Sequence, residues 1–376
     1  MLLKTLNTKK PALNMQKVIR FLKYPILILV MFCALESKAQ NACTQTLRIA
    51  RTVFDEGRIH ELETLLDGCI KNGFTDEERT EAYRLLILAH IYLDETEKAD
   101  QRMLELLKDN HGYKTQNDVD PVELIDLYNT FRHDPIFFWG FRGGFNTTFV
   151  NVIKAYGLHD LNNTSASYSN RIGFNAGLLF EKNFGKRIAA RADLQYANNT
   201  FDYNNTFLRQ STTGATLVTL TATEVQSSVG LSLMAHYRLF REKDDKYKKW
   251  YEKPNPYIGL GGSAFNMLGS EMTFDESNNA GASPDGPAED LIKAEIRKTL
   301  NPTIDIEIGI KKKSGLNYIN AGFRYSYGIL DITDKHYDNG RLSTFYGFAA
   351  NDINTHSLSI FVGYLIPKYS PKKLTK

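Results

Sequence analysis

The chain has 376 residues, enough for two domains, and a formal net charge of +3. A charge this close to zero excludes the strongly basic surface that nucleic-acid binding depends on. Tyrosine and phenylalanine are abundant, with 20 and 22 residues against 2 tryptophans, which is typical of strand-rich proteins and of the aromatic girdles of membrane barrels alike.

Residues 1–40 have the pattern of an export signal. Basic residues precede an apolar run from Tyr24 to Leu35, and Ser37-Lys38-Ala39 then places small residues at the two positions that a signal peptidase reads. The run is shorter than the roughly 20 residues that a transmembrane helix needs. We therefore predict cleavage after Ala39, with a retained anchor helix as the alternative; Met15 is an alternative start to Met1.

Residues 41–134 are predicted to form a helical domain, because their apolar residues recur with helical spacing. Thr75 followed by Glu78 has the form of a capping box, and Pro121 suits the first turn of a helix. The predicted helices lie near residues 43–56, 58–71, 76–93, 96–109 and 121–132.

This helical segment also repeats. Ala50-x-x-x-Phe54-Asp55-Glu56-Gly57 corresponds to Ala89-x-x-x-Leu93-Asp94-Glu95-Thr96, at a spacing near 39 residues, which is in the range of helical-hairpin repeats. The segment loosely resembles tetratricopeptide-type repeats. Such repeats imply a concave surface for a protein partner, and a packed spacer without a ligand is the alternative.

Cys43 and Cys69 are the two cysteines left after cleavage at Ala39. An even number of cysteines in an exported chain favours a disulfide. If the first two helices form an antiparallel hairpin, the start of the first meets the end of the second, and the two thiols come together. The alternative is a pair of buried free thiols.

From residue 135 to residue 369 the pattern changes to the period of two that is typical of strands. In Thr303–Lys311 every second residue is isoleucine, and Asp305 and Glu307 lie on the opposite face. A soluble sandwich would bury the isoleucines, whereas a membrane barrel would turn them to lipid and the acids to its interior. Eight such segments are present, near residues 137–146, 172–180, 190–196, 225–237, 257–266, 303–311, 319–327 and 358–364.

The links between these segments decide between the two folds. Long links are predicted at residues 148–169, 197–223, 267–299 and 331–355, and they alternate with shorter ones at 181–186, 241–255 and 311–315. Outer-membrane barrels have this alternation because their external loops are long and their periplasmic turns are short. We therefore predict an α+β multidomain chain: an α-helical, TPR-like periplasmic domain and an eight-stranded antiparallel transmembrane β-barrel, with residues 370–376 as a tail.

Eight strands leave an interior that side chains roughly fill. Because unpaired charges there would cost several kcal/mol each, we predict ion pairs among the inward-facing charges. A register set by the turn at 313–315 brings Arg324 diagonally near Asp305. A filled interior argues against an open pore, and a proton or ion path is the alternative. The predicted lumen ion pairs involve Arg142, Arg191, Asp193, Asp305, Glu307 and Arg324.

The barrel segment resembles the PorT-like outer-membrane β-barrel family of Bacteroidota. The resemblance lies in Gly140-Phe141-Arg142-Gly143-Gly144-Phe145-Asn146, in Gly322-Phe323-Arg324-Tyr325 and in Val362-Gly363-Tyr364. It implies an outer-membrane location, and for some members a role in type IX secretion or gliding. The tail at 367–376 departs from barrels that end on an aromatic residue.

No catalytic residues, metal site or cofactor are predicted. Ser263 lacks the spacing of a nucleophile elbow, and no His-x-x-x-His pair or close cysteine cluster is present. Phe345, Tyr346 and Phe348 are candidates to contact an external ligand or, equally, to cap the barrel mouth. We predict a non-enzymatic outer-membrane protein, in contact with lipid, that presents residues 41–134 to a periplasmic protein. The alternatives are a subunit or assembly factor of a secretion or motility complex of the type IX kind, and a lipid-modifying barrel enzyme.

Overall fold

The computed structural model describes two compact units. Met1–His133 and Ser370–Lys376 form the first, called here the helical unit, and Asp134–Tyr369 form the second, the barrel unit. The predicted signal at 1–40 lies outside the described residues. The structure describes residues 42–156, 166–185, 187–211, 214–239, 254–277, 288–334 and 348–374.

Five helices form the helical unit within the described residues, and each predicted helix end lies within about one turn of the observed one. The capping box is confirmed, since the Thr75 hydroxyl accepts from the Glu78 N–H and the Glu78 carboxylate accepts from the Thr75 N–H. Pro121 stands just before its helix rather than at the first helical position. The helices are α1 (42–55), α2 (Leu62–Lys71), α3 (Asp76–Tyr92), α4 (Thr96–Asp109) and α5 (Val122–Asn129).

The core of the helical unit is formed by leucine and isoleucine side chains that are fully buried, such as Leu62, Leu86 and Leu106. Ala50 and Ala89, the small residues at equivalent positions of the sequence repeat, are both buried in this core. Among the described helices, none combines the length and the apolar composition needed to cross a membrane.

The barrel unit is a closed ring of eight antiparallel strands, in the order β1-β3-β4-β5-β6-β8-β9-β10, with β10 paired back to β1. Two short strands, β2 and β7, pair with the far ends of β4 and β6. The strands are β1 (Phe137–Lys154), β2 (Ser167–Asn170), β3 (Ile172–Phe184), β4 (Ile188–Ser211), β5 (Gly214–Arg238), β6 (Asn255–Ser277), β7 (Glu289–Asp290), β8 (Leu300–Ser314), β9 (Asn317–Gly328) and β10 (Asp352–Lys368).

The predicted faces of the strands are confirmed in the part of the ring next to the chain termini. Ile304, Ile306, Ile308 and Ile310 point outward and are about half exposed, whereas Asp305 and Glu307 are fully buried inside. The fifth ring strand, β6, had no predicted facing; its Leu260 points outward and its Tyr257 inward. We call this part of the ring the proximal barrel.

The predicted long link at 197–223 is wrong as a loop. β4 has 24 residues and β5 has 25, and they stay paired up to Ser211 and Gly214. β3 and β9, with 13 and 12 residues, are close to the 9–11 residues that a tilted strand needs to cross a bilayer. We call the far end of the barrel unit the distal extension. It comprises residues 197–211, 214–227 and 267–277, β2, β7 and the segments 291–299, 330–334 and 348–355.

Where the distal extension begins, the inward-facing side chains change from polar to apolar and the outward-facing ones from apolar to polar. On β4, Leu194 points outward in the proximal barrel, whereas Phe201 and Tyr203 point inward and are fully buried. The outward positions farther along β4 are polar, for example Asp202 and Asn204. On β6 the switch coincides with a register irregularity opposite Ser227 and Ser228, which moves the inward face from odd to even residue numbers.

Candidate functional site

Five charged side chains meet in the middle of the proximal barrel, and each is at most 3% exposed. Both Glu307 carboxylate oxygens accept from Arg191 Nη2 at 2.6 Å. Arg324 Nε donates to Glu307 at 2.8 Å, and its Nη2 donates to Asp193 at 2.6 Å. Arg142 Nη1 donates to Asp193 at 3.0 Å. We call these five residues the central cluster; its ion pairs brace strands β1, β4, β8 and β9 across the interior.

The strand geometry explains why these charges converge. The turn between β8 and β9 sets a register in which Glu307 lies directly opposite Arg324. Arg191 and Asp193 are two residues apart on β4 and so share its inward face. Charges this deeply buried are tolerated only with close partners, and each arginine of the cluster has a carboxylate.

The predicted register, with Arg324 diagonal to Asp305, is present, but the carboxylates that pair with Arg324 are those of Glu307 and Asp193. Asp305 lies opposite Ser326 in the β8–β9 register. Its carboxylate accepts hydrogen bonds from Ser263 and, at 2.9 Å, from Thr303. The guanidinium of Arg324 is engaged instead by the nearer carboxylates of the central cluster.

Tyr257 and Phe361 complete the surroundings of the central cluster, and the sequence analysis missed both. The Tyr257 hydroxyl donates to Glu307 at 2.8 Å, and the guanidinium of Arg142 lies 4.0 Å from the centre of the Phe361 ring. Phe361 was missed because Ile360 and Val362 make it part of an apolar run, although its parity with the inward-facing Ser359 was a usable signal. Tyr257 was missed because the facing of β6 was not assigned.

A second group of charges lies between the central cluster and the end of the barrel at which β1 begins and β10 ends. Lys311 Nζ donates to Glu181 at 2.7 Å and lies 3.7 Å from the centre of the Phe138 ring. His236 lies 3.9 Å from Glu181 and 3.7 Å from Glu307. Gly259 makes room for this arrangement, because an added Cβ would lie 2.6 Å from the His236 ring.

On the distal side of the central cluster is a cavity of about 40 Å³. This volume is large enough for a few water molecules. Several oxygen atoms that face this part of the interior, such as those of Asn175 and Gln226, are buried without a hydrogen-bond partner. The polar side chains around the cavity include Asn146, Thr148, Asn175, Gln195, Asn199, Gln226 and Asn301.

The distal extension has a buried ion pair surrounded by apolar layers. Arg297 donates from Nε and Nη2 to Glu224 at 2.9 and 2.8 Å, and Ser270 also donates to Glu224 at 2.8 Å. One apolar layer consists of Phe201, Met267, Ile332 and Ile353. The other includes Tyr203, Leu220, Met272, Phe274, Leu291, Ile296 and Phe348. The sequence analysis missed this core because it assigned these segments to links.

Of the three aromatic residues proposed to contact a ligand, Phe345 and Tyr346 lie outside the described residues. Phe348 is 1% exposed, and its ring centre lies 5.0 Å from that of Tyr203 and 6.0 Å from that of Phe274. Phe348 is therefore a core residue of the distal extension and is not available to an external ligand.

The predicted disulfide between Cys43 and Cys69 is confirmed. It joins the start of α1 to the end of α2. Gly73 follows with φ = +141°, and a Cβ there would lie 2.5 Å from the Cys43 sulfur. The glycine is required by both its backbone conformation and the closeness of this sulfur.

In the helical unit, a hydrogen bond shifts the pKa of Glu95 and burial shifts the pKa of Tyr113. His90 Nδ1 lies 2.8 Å from the Glu95 carboxylate, and this hydrogen bond lowers the pKa of Glu95. Burial raises the pKa of Tyr113 to about 12. The Tyr128 hydroxyl donates to the Tyr113 carbonyl and so holds the segment after α4 against α5.

The arrangement of serine and histidine side chains offers no nucleophile–base pair in the described part of the barrel. Ser263 donates to Asp305, and the centre of the His236 ring lies 4.7 Å from that of Tyr257, with the two rings tilted by 31°. Within the described ranges, no three His, Cys, Asp or Glu side chains converge as metal ligands would.

Several solved outer-membrane proteins are similar to this chain at low sequence identity. The outer membrane protein OprG of Pseudomonas aeruginosa is 14% identical, with a TM-score of 0.31 over 62% of this chain and 98% of its own. Neisserial surface protein A is 13% identical, with a TM-score of 0.27 over 62% and 97%. The attachment invasion locus protein of Yersinia pestis, Ail, is 13% identical, with a TM-score of 0.25 over 61% and 99%. No curated protein matches the chain.

A family model described as outer membrane protein beta-barrel domain matches residues 133–334, more than half of the chain. The matched range includes the central cluster and all the ring strands except β10. The chain belongs to this family of outer-membrane β-barrel proteins.

Proposed function

We propose that this protein is a plugged outer-membrane barrel that holds its helical unit in the periplasm, where the helical unit binds another protein. The observation that carries the proposal is the filled interior. The central cluster, the Lys311–Glu181 pair and the distal apolar layers occupy the barrel from one end to the other. An interior filled in this way does not favour passage of solutes.

The orientation follows from the lengths of the links. The last pair of β3 and β4, Phe184 with Ile188, and the link 315–316 lie at the end of the ring where β1 begins and β10 ends, whereas the distal extension lies at the other end. In outer-membrane barrels the short turns face the periplasm. The disulfide in the helical unit is consistent with an oxidising compartment such as the periplasm.

The helical unit has surface features that suit a protein partner. Val119 and Val122 are each more than two-thirds exposed, and Tyr92 is about half exposed. Val119 and Val122 are three residues apart, and exposed apolar residues that are grouped in this way are typical of sites that another protein covers. A component of a secretion or motility complex is one form that the partner could take.

Two measurements test the proposal. Affinity-tagged full-length protein and a variant lacking residues 42–133 are recovered in detergent from the native envelope, and the proteins recovered with each are compared. We expect proteins enriched only by the full-length chain; equal recovery by both would reject the adaptor role.

Protease added to cells should degrade the helical unit only after the outer membrane is permeabilised. Degradation in intact cells would reject the orientation.

A further inference from the structure

The C-terminal tail, residues 370–374, lies as an extended segment beside residues 130–132, which directly follow α5. Phe131 and Lys373 form an antiparallel bridge. The Arg132 N–H donates to the Lys372 carbonyl at 2.9 Å, and the Leu374 N–H donates to the Thr130 carbonyl at 2.8 Å. The Arg132 guanidinium donates twice to the Ser370 carbonyl, at 3.0 and 2.6 Å. We call residues 130–132 the receiving edge.

The receiving edge is fixed, whereas the tail is loosely held. Phe131 is 2% exposed and belongs to the core of the helical unit. The side chains of Lys372, Lys373 and Leu374 are exposed, so the tail buries little apolar surface. Segments with few buried contacts open at a low free-energy cost.

Charge complementarity favours a basic segment at this position. Residues 42–133 carry 19 acidic and 11 basic side chains, a net charge of −8, whereas residues 370–374 carry two lysines and no acid. Lys373 forms an ion pair with Asp100 on α4. A solvent-exposed pair of this kind contributes little binding free energy, so it selects the sign of the segment's charge more than it holds the segment in place.

We propose that the receiving edge, with Asp100, is a binding site for a basic, extended segment of a partner protein, and that the C-terminal tail occupies this site in the free protein. Recognition combines backbone hydrogen bonds to residues 130–132 with a lysine or arginine beside Asp100, which is the strand-addition mode of peptide binding. The inference rests on the proposed function and specifies the chemistry of the partner.

The test uses the full chain with a protease site inserted between Tyr369 and Ser370, so that the barrel assembles at its full length before the tail is cut. The probe is a fluorescent peptide with the sequence of Ser370–Leu374, and binding is measured by fluorescence anisotropy. We expect the cut protein to bind this peptide at least tenfold more tightly than the uncut protein. A peptide with both lysines replaced by glutamate should bind at least tenfold more weakly.

Two substitutions in the cut protein separate local recognition from overall charge. Asp100→Lys should reduce peptide affinity at least tenfold. Asp55→Lys, which makes the same change of charge at an exposed position of α1, should reduce it less than threefold. Equal effects of the two substitutions, equal binding to cut and uncut protein, or no saturable binding would each overturn the proposal.

A further variant covers the case in which cutting unfolds the helical unit. Uncut Lys373→Glu keeps the tail attached without the ion pair and should bind the peptide more tightly than the uncut wild type does. Dimers formed by exchange of tails would assign the site to a second copy and overturn the partner assignment. A partner recovered by the full-length chain together with no peptide binding would reject this inference and leave the proposed function standing.

Discussion

The proximal barrel and the distal extension are built from the same strands, yet the side chains that face inward are mostly polar in the first and mostly apolar in the second. In the proximal barrel, Leu231 and Leu233 of β5 point outward and Ser232 points inward. In the distal part of the same strand, nearer its beginning, Leu220 and Ala222 point inward, and threonines alternate with them on the outside. The difference teaches that the surroundings decide where the apolar residues of a strand lie: lipid favours them on the outer face, and water favours them on the inner face.

The interiors of the two regions differ in the same way. Most apolar side chains of the proximal barrel face outward, and its interior is filled by ion pairs and polar side chains together with a small apolar cluster of Phe138, Leu179 and Leu365. Among its described residues, the distal extension has an apolar core that surrounds the ion pair of Glu224 and Arg297. The proximal interior should therefore depend on charge pairing, and the distal interior on shape and apolar volume.

The largest effect is expected for a charge removed from the central cluster. Glu307→Gln keeps the size of the side chain but leaves Arg191 and Arg324 without their shared carboxylate, and breaking a buried pair in this way costs about 3–5 kcal/mol. The midpoint of denaturant unfolding, followed by the heat-modifiable gel shift, should fall accordingly. Glu271→Gln, on the exposed face of the distal extension, is the control and should leave the midpoint unchanged.

A cavity in the distal core should have a comparable but local effect. Phe348→Ala removes a buried ring that packs on Tyr203 and Phe274, and such truncations cost about 3–5 kcal/mol. We expect limited proteolysis to cut the distal extension sooner, while the gel shift of the proximal barrel is retained. Loss of the gel shift would show that the two regions fold as one cooperative unit.

A charge placed on the outer face should distinguish lipid from water directly. Ile306→Arg puts a charge on the apolar outer surface of the proximal barrel, which costs about 2–4 kcal/mol near the bilayer midplane. Thr273→Arg puts the same side chain on the outer face of the distal extension, where less than about 0.5 kcal/mol is expected. Equal losses of folding efficiency in lipid vesicles would contradict the assignment of the two regions.

The smallest effect is expected for an ion pair on the outside of the distal extension. Arg171 donates to Asp202 at 2.7 Å, but Arg171 is about half exposed, so the pair contributes about 0–1 kcal/mol. Asp202→Asn should therefore shift the unfolding midpoint slightly, in clear contrast to Glu307→Gln. A loss as large as that of Glu307→Gln would show that solvent does not screen this pair.

The sequence predicted the parts of the fold in which local pattern and environment agree. Helix spacing gave the five helices, and the cysteine positions at the ends of a helical hairpin gave the disulfide. In the proximal barrel the alternation of isoleucine with Asp305 and Glu307 gave the facing of β8. Each of these features depends on neighbouring residues or on one hairpin.

The distal extension was not predicted, because its strands carry threonine and asparagine on the outside and read as polar links. Phe201, Tyr203 and Phe274 have the right alternation, but the sequence does not state that the surrounding solvent changes along the strand. The partner of Arg324 was also misassigned, since a diagonal neighbour and a direct neighbour on β8 differ by only two residues.

The sequence by itself determined the helices, the proximal parts of the strands with the apolar face of most of them, and that the interior charges must pair. Only the tertiary structure decided which charges meet, because Arg191 and Glu307 are 116 residues apart and come together through closure of the ring. The tertiary structure likewise decided where the interior changes from polar to apolar side chains, since that point depends on the neighbouring strands and on the surrounding medium rather than on local sequence.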